Sequence, residues 1–362
     1  MVAQRIKIIH LITIVTLVII LTGIELEVFF RYYYFRWNEN LSVPFLLFAR
    51  AIPYSKGITE FIQPSQKNGI IFELKPNIRS TFLGVLFSTN GIGAIGSKEY
   101  SKSKPYNTVR IIGIGDSIMS SWGVAPEHTF LQLIESRLRE TYSKQYEVIN
   151  LSVPGYNTAI EFNVLKVKAM QYDPDLIIMQ YCGNDYNLPS YIRKKVYSKS
   201  YAYFVIKTAL QRLFLANKPQ THMNYFNAFS DAPRAKNNPV SFASEIGEVP
   251  KEYEYMVGID NYIRTMQAIS DYAKQRNIPI LLLLQDSSIL SLAPQITRMG
   301  FYILDADKKL TEYLNANSFE ETDVSISSDD PHLNLLGHKL YADFILEYIT
   351  SETSLTAVLK PK

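Results

Sequence analysis

The stretch VRIIGIGDSIMSSWGV, Val109 to Val124, decides how the rest of the chain is interpreted. Its first half is an apolar run typical of a buried strand, and the run then breaks into Gly115, Asp116 and Ser117. Glycine and aspartate are ordinary turn residues, so a simple turn accounts for two of the three. The serine has a second interpretation. Parallel α/β sheets bind their ligands at the carboxyl ends of their strands, where a hydroxyl can act as a nucleophile.

Alternating strands and helices follow this stretch and predict an α/β fold with a central parallel sheet. Apolar strands are predicted at YEVINLSV, DLIIMQY and IPILLLLQ, with a short strand at FYILDA. Helices are predicted at PEHTFLQLIESRLRETY, TAIEFNVLKVKAMQ and YIRTMQAISDYAKQRN, and a last one around LLGHKLYADFILEYI. Strands that are apolar on both faces and separated by helices indicate a sheet covered on two sides.

The amino-terminal region is predicted to anchor the chain in a membrane. Residues 8–24 contain no Asp, Glu, Lys or Arg, and this length is the lower limit for a helix across a bilayer. A cleaved signal peptide is the alternative, but no small-x-small cleavage site follows. The segment FFRYYYFRW, residues 29–37, is typical of a membrane interface. Basic residues flank the span equally. Its short leading segment favours a cytoplasmic amino terminus and an exported bulk.

The composition argues against several classes of protein. A net charge of +3, without long runs of one sign, gives no electrostatic reason to expect nucleic acid. A single cysteine, Cys182, excludes an internal disulfide and a cysteine-based metal cluster.

The glycines from Gly91 to Gly96 fit the G-x-G-x-x-G pattern of dinucleotide sites. The polar, Pro-terminated sequence after them does not start a helix, so a loop is predicted. The 25 Tyr and 19 Phe suit sugar-contacting or membrane-facing surfaces as well as an aromatic core.

Changes in sequence pattern divide the chain into four parts. Within the third part, the segment 186–255 interrupts the strand–helix alternation and is interpreted as an insertion over the carboxyl edge of the sheet, a possible lid. The four parts are a membrane anchor with its interfacial collar (1–37), an irregular lead-in with a few short strands (38–107), the α/β domain (108–350) and a carboxyl-terminal tail (351–362).

A nucleophilic serine needs a base, and the chain has five histidines. His10 lies in the apolar span, His128 opens a surface-type helix and His222 lies in the polar insertion. His338 falls inside the last predicted helix. This elimination leaves His332, in SSDDPH, on the loop that leads into that helix.

The acid partner of His332 is predicted to be Asp329, three residues before it. A tight loop stiffened by Pro331 lets this carboxylate reach Nδ1 and leaves Nε2 free as a base. Asp330 is adjacent, but alternation along the loop is expected to point it elsewhere. A solvated turn that caps the next helix is the structural alternative.

Two more polar turns are expected at the same edge of the sheet as Ser117. Gly155 follows the second strand in VPGYN, and Asn184 follows the third in CGND, where its side-chain amide can donate a hydrogen bond. If the three strands are adjacent and parallel, their turns converge on one rim with the Asp329–His332 loop.

These blocks, in this order, resemble the SGNH, or GDSL-type, hydrolase superfamily. The sequences GDSIMSSWGV, VINLSVPGYNT and DPDLIIMQYCGND are similar to its bacterial membrane-anchored branch, and the likeness covers residues 108–185 and 279–350. The third block departs from the usual Gly-x-Asn-Asp because Cys182 takes its first position. The resemblance implies a three-layer flavodoxin-like fold and an esterase that needs no cofactor and no metal.

The resemblance also implies a role for each motif residue. Ser117 is the nucleophile, and Asp329 and His332 complete the triad. The oxyanion hole consists of the backbone N–H groups of Ser117 and Gly155 and the side-chain amide of Asn184. The remaining residues of the blocks are expected to support the site: Gly115, Asp116 and Asp185.

Together these observations predict a membrane-anchored serine esterase with an exported catalytic domain. The expected substrates are O-acyl esters, notably acetyl esters, of envelope or secreted carbohydrate. An O-acyltransferase with the same triad is one alternative, and a non-catalytic protein of envelope polysaccharide assembly or binding is another. A flavodoxin-like nucleotide binder is disfavoured because no phosphate-cradling glycine loop opens a helix. The membrane is an expected partner, nucleic acid is not, and the sequence indicates no protein partner.

Overall fold

A computed structural model describes most of the chain outside the collar and the insertion. The polypeptide divides into two compact units, residues 1–55 with 197–219 and residues 56–196 with 220–362. The described residues are 2–29, 61–142, 145–183, 185–187, 189, 202, 251–327 and 330–359.

The first unit contains the amino-terminal helix α1, Val2–Phe29. Its stretch Lys7–Phe29 is long and apolar enough to cross a membrane. Near the carboxyl end of the helix, Glu27 accepts a hydrogen bond of 2.9 Å from the backbone N–H of Ala202. The predicted apolar helix is therefore present, and Ala202 of the predicted insertion contacts its end.

The second unit begins with two antiparallel hairpins in the predicted lead-in. Strand β1 (Ile62–Pro64) pairs with β2 (Phe72–Leu74), and β3 (Arg79–Phe82) pairs with β4 (Val85–Ser88). The Tyr156 hydroxyl donates to the Phe72 carbonyl oxygen at 2.6 Å and attaches β2 to the α/β core. The glycine-rich segment 91–96 is a loop, as predicted.

The core of the unit is a parallel sheet of five strands, and it confirms the predicted α/β fold. The strand order is β6-β5-β7-β8-β9, so the strand that precedes Ser117 lies between the edge strand β6 and the middle strand β7. Every residue of β5 is buried, and its neighbours Ile111 and Ile112, which point to opposite faces of the sheet, are both covered. The five strands are β5 (Thr108–Ile114), β6 (Gln145–Asn150), β7 (Leu176–Tyr181), β8 (Ile280–Leu284) and β9 (Tyr302–Asp305).

Helices cover both faces of this sheet and complete three layers. On one face, apolar residues of α2, α6, α8 and α9 share a core with the strands. Helices α3 and α4 pack against each other, for instance through Phe162 and Tyr272, whose ring centroids are 6.1 Å apart. The helices are α2 (Phe130–Thr141), α3 (Thr158–Val167), α4 (Ile259–Lys274), α5 (Ala293–Met299), α6 (Ala306–Asn317), α7 (Glu321–Val324), α8 (Leu335–Ser351) and α9 (Thr353–Leu359).

The carboxyl-terminal segment differs from its prediction. Residues 351–362 were expected to form a tail, but they include α9, whose Leu355 and Leu359 are buried in the core. The reason is that two leucines spaced by four residues form an apolar stripe that a short helix can bury. Most of the predicted insertion, 186–255, lies outside the described residues.

Candidate active site

Ser117 lies in a turn directly after β5, an inner strand of the sheet. A Cβ atom at Gly115 would lie 2.9 Å from Gln180 Oε1 and 3.1 Å from Met119 Cβ, so a larger residue here would displace neighbouring side chains. Asp116 is buried, and its Oδ1 accepts the N–H of Ile118 at 2.9 Å. This hydrogen bond from a side chain to the backbone two residues on is a turn-forming contact of aspartate. The turn therefore holds Ser117 at the carboxyl edge of the sheet, where the sequence predicted it.

The Ser117 hydroxyl meets an imidazole from a region more than two hundred residues later in the chain. His332 Nε2 lies 2.8 Å from Ser117 Oγ. On the other side of the ring, His332 Nδ1 lies 2.5 Å from Asp330 Oδ1. The arrangement is a hydroxyl, a base and a carboxylate in series, with the geometry that serine nucleophiles require.

The carboxylate in this series is Asp330, which corrects the expectation that Asp330 points away from the ring. Asp330 and His332 belong to a short strand, β11 (Asp330–Leu333), which pairs with β10 (Ser325–Ser327). Residues two apart on a strand point to the same face, and Asp330 Oδ1 also accepts the backbone N–H of His332 at 3.1 Å. The predicted acid, Asp329, lies outside the described residues.

The surroundings of Asp330 favour its charged form. Burial alone would raise the pKa of this carboxyl, but its hydrogen bonds with His332, the nearby imidazole and the indole N–H of Trp122 outweigh burial and hold the pKa below its usual value. Trp122 Nε1 donates to Asp330 Oδ2 at 3.1 Å. A charged acceptor at Nδ1 keeps the ring proton there and leaves Nε2 to accept one.

The second predicted turn follows β6 and includes Gly155. This residue has a φ of 86°, in the left-handed region that favours glycine. The N–H of Val153 donates to the Gly115 carbonyl oxygen at 3.0 Å, which places the two turns side by side. Within the described residues, the backbone N–H groups of Ser117 and Gly155 have no hydrogen-bond acceptor. These two N–H groups are the ones that the sequence assigned to an oxyanion hole.

The third predicted turn follows β7 and is closed by Asp185. The Asp185 N–H donates to the Cys182 carbonyl oxygen, and the Cys182 N–H donates to Asp185 Oδ2, both at 2.9 Å. Asn184 itself lies outside the described residues, whereas Gly183 and Asp185 on either side of it are described. Asn157 connects this turn to the second one, because its Nδ2 donates to the Asn187 carbonyl oxygen at 2.6 Å. The sequence analysis did not identify Asn157, and its position two residues after Gly155 was the available signal.

A second acidic side chain lies near this third turn. Glu161, in the first turn of α3, is buried, and within the described residues neither of its carboxylate oxygens has a hydrogen-bond partner. Burial, followed by the charges of Asp185 and Asp116, raises the pKa of Glu161 well above its usual value. Burial and the charge of Asp116 act in the same direction on the pKa of Asp185. Because Asp185 accepts an N–H and Glu161 accepts none, we assign the proton of this pair to Glu161.

The other described histidines lie outside the contact with Ser117. His338 is fully buried in α8, where its Nδ1 accepts the N–H of Phe130 at 3.2 Å. Burial, together with the charge of His332, lowers the pKa of His338 to about 3, so this ring is neutral and structural. No group of three or more His, Cys, Asp and Glu side chains in the described part of the chain could hold a metal ion.

Comparison with known proteins identifies a family. A model of the GDSL-like lipase/acylhydrolase family matches residues 114–340. No curated protein matches the chain significantly. Solved structures with a similar fold include the acetyl xylan esterase AlAXEase (17% identity, TM-score 0.41, 66% of this chain and 98% of that one). An acetylxylan esterase from Geobacillus stearothermophilus (13%, 0.41, 66% and 93%) and a lipase/acylhydrolase from Enterococcus faecalis (13%, 0.41, 67% and 96%) are also similar.

Proposed function

Because the chain belongs to the GDSL-like lipase/acylhydrolase family and is an esterase, we propose that Ser117, His332 and Asp330 form its catalytic triad. The observation that carries this proposal is the distance of 2.8 Å between Ser117 Oγ and His332 Nε2. At that distance a neutral imidazole can take the hydroxyl proton as the oxygen attacks a carbonyl carbon.

In the first half of the reaction, Ser117 Oγ forms a bond to the ester carbonyl carbon while its proton moves to His332 Nε2. The Asp330 carboxylate stabilises the imidazolium that results, through the hydrogen bond at Nδ1. When the tetrahedral intermediate collapses, the C–O bond to the alcohol breaks and His332 Nε2 gives the proton to the leaving oxygen. The products of this half are a free alcohol and an acyl ester of Ser117.

In the second half, His332 Nε2 takes a proton from a water molecule, whose oxygen bonds to the acyl carbon. Collapse of this second intermediate breaks the bond to Ser117 Oγ, which regains a proton from the imidazolium. A carboxylic acid leaves and the resting state is restored. An acceptor hydroxyl in place of water would give acyl transfer by the same steps.

The oxyanion in both halves is assigned to the three donors expected from the sequence. These are the backbone N–H groups of Ser117 and Gly155 and the side-chain amide of Asn184. Parallel pairing of β5 with β6 and with β7 supports the assignment, since it brings the three turns to one edge of the sheet. Removing one such donor costs on the order of a hundredfold or more in rate.

The substrate that we propose is an O-acetyl or similarly short O-acyl ester of envelope or secreted carbohydrate. The support is the location that helix α1 would give the enzyme. A span at residues 7–29, with a cytoplasmic amino terminus and the catalytic unit on the exported side, would hold the enzyme beside envelope glycans. We therefore place the enzyme at the exported face of a membrane.

The proposed triad is tested on the full chain in detergent micelles with a fluorophosphonate probe, which labels activated serines. We expect the wild type to be labelled and to release acetate from a chromogenic acetyl ester and from acetylated sugars. Ser117→Ala should lose both properties. Ser136→Ala, on the exposed face of α2, is the matched control and should behave as wild type.

The outcomes separate the candidate functions. Absence of labelling in a folded wild type would contradict the triad and favour a binding protein. Labelling with transfer of acetyl to an added glycan, rather than release of acetate, would identify an acyltransferase. Labelling that persists in Ser117→Ala would show that another residue is the nucleophile.

A further inference from the structure

Trp122 contacts both partners of the catalytic serine, and we propose that it is a positioning residue for them. Its indole ring stacks on the His332 imidazole, with ring centroids 4.7 Å apart and planes inclined by 21°. The same indole donates its Nε1 hydrogen to Asp330 Oδ2 at 3.1 Å. This inference rests on the proposed function, because it concerns how the Ser117–His332–Asp330 series is held.

The hydrogen bond from Trp122 fixes the carboxylate at the oxygen that His332 does not use. Asp330 Oδ1 accepts from His332, both at Nδ1 and at the backbone N–H, and Oδ2 accepts from the indole. With donors on both oxygens, the carboxylate plane has one favoured orientation. Asp330 is 1% exposed, so little water is available to replace the indole if it is removed.

The stacking contact acts on the imidazole when it becomes charged. The face of an indole ring is electron-rich and attracts a cation placed over it. In the proposed reaction His332 gains a positive charge as Ser117 attacks, so the attraction is greater in the transition state than in the resting enzyme. A contact of this kind lowers the barrier rather than improving substrate binding.

Trp122 itself packs against the β3–β4 hairpin of the lead-in. Phe82, the last residue of β3, presents its ring edge-on to the indole at a centroid distance of 5.2 Å and an angle of 85°. The Phe82 ring packs in turn against Phe87 of β4, at 5.9 Å and 72°. Residues that precede the α/β core in the chain therefore support the catalytic histidine through one tryptophan.

Two variants of the full chain separate the two contacts. Trp122→Phe keeps an aromatic face on His332 and removes the donor to Asp330, and Trp122→Leu removes both. We expect Trp122→Phe to slow fluorophosphonate labelling by on the order of tenfold. We expect Trp122→Leu to slow it several-fold further. Hydrolysis of an acetyl ester should show the same decreases in kcat with little change in KM.

Phe130→Leu is the control for a purely structural role of Trp122. Phe130 is also a buried ring beside a histidine, His338, with centroids 5.6 Å apart, and within the described residues no hydrogen bond or ring contact joins it to the triad. This variant should lower thermal stability while its labelling rate stays that of wild type. The end point of labelling after long incubation counts the folded molecules, so the rate reports activation alone.

The low-field proton resonance of the Nδ1–H between His332 and Asp330 gives an independent measurement. We expect it to shift or broaden in Trp122→Phe and to be unchanged in Phe130→Leu. If Trp122→Phe labels at the wild-type rate with an unaltered resonance, the positioning role is wrong and the proposed triad stands. If the wild type itself is not labelled, the proposed function fails.

Discussion

Two buried carboxyl groups, those of Asp330 and Glu161, lie near the carboxyl edge of the same sheet. Their pKa values are shifted in opposite directions. Asp330 receives hydrogen bonds at both oxygens, and the pKa of its carboxyl is lowered although burial opposes this. The carboxyl oxygens of Glu161 have no hydrogen-bond partner within the described residues, and burial and acidic neighbours raise the pKa of this carboxyl. Both side chains are about 1% exposed or less, so burial alone does not distinguish them.

The difference shows that the donors around a buried carboxylate determine its charge. A charged acid beside His332 is what the proposed base requires, and a neutral acid can remain buried near the Cys182–Asp185 turn without a paired cation among the described residues. Substitutions on either side test this comparison.

The largest effect is expected at the charged acid. In Asp330→Asn, the amide NH2 must face one of two donors, either His332 Nδ1–H or Trp122 Nε1–H, so the imidazole loses its correct tautomer or its orientation. We expect kcat to fall on the order of ten-thousandfold, measured as hydrolysis of an acetyl ester. Asp329→Asn is the matched control and should retain nearly full activity. A large loss in Asp329→Asn together with an active Asp330→Asn would reverse the assignment of the acid.

This substitution also shows where the sequence analysis was limited. It predicted a parallel sheet with Ser117 and His332 together at its carboxyl edge, because apolar strands and polar turns have clear patterns. It placed the acid at Asp329 because SSDDPH was interpreted as a loop. In the structure Asp330 and His332 lie on a strand, where residues two apart share a face. The pairing of β11 with β10, which makes the strand, joins segments too short to show a strand pattern.

Sequence patterns also could not predict the contacts between distant segments. Trp122 is part of the quoted stretch, but nothing in its spacing indicates a contact with a residue 208 positions later. Glu161 is at a helical position where a charged residue normally faces solvent. Its burial results from the packing of α3 beside the third turn, which is a tertiary effect.

An intermediate effect is expected at Asp185, which closes the turn around Asn184. Asp185→Ala removes the acceptor of the Cys182 N–H, so the turn loosens and the proposed oxyanion donor is displaced. We expect kcat to fall by on the order of a hundredfold, with KM changed little. Asp185→Asn keeps an oxygen that can accept the Cys182 N–H and should retain most of the activity. Equal activity in both variants and wild type would show that this turn does not position a donor.

The smallest effect on activity, and the sharpest test of the neutral acid, is expected in Glu161→Gln. The raised pKa means that the folded chain holds a proton that the unfolded chain, with a pKa near 4.5, releases as the pH rises. The contribution of this group to stability is therefore largest below pH 4.5 and decreases as the pH rises toward the folded pKa, by at most about 1.4 kcal/mol per pH unit for this one proton. The glutamine has nearly the same shape and no proton to lose. We expect wild-type activity and a shallower decrease of the thermal midpoint between about pH 5 and pH 8, so that the variant is the more stable protein at the alkaline end.

Glu161→Ala leaves a cavity instead and should be less stable across this range. A Glu161→Gln variant whose stability follows the wild-type pH dependence would mean that the carboxylate is charged in the folded state, and the contrast with Asp330 would be lost.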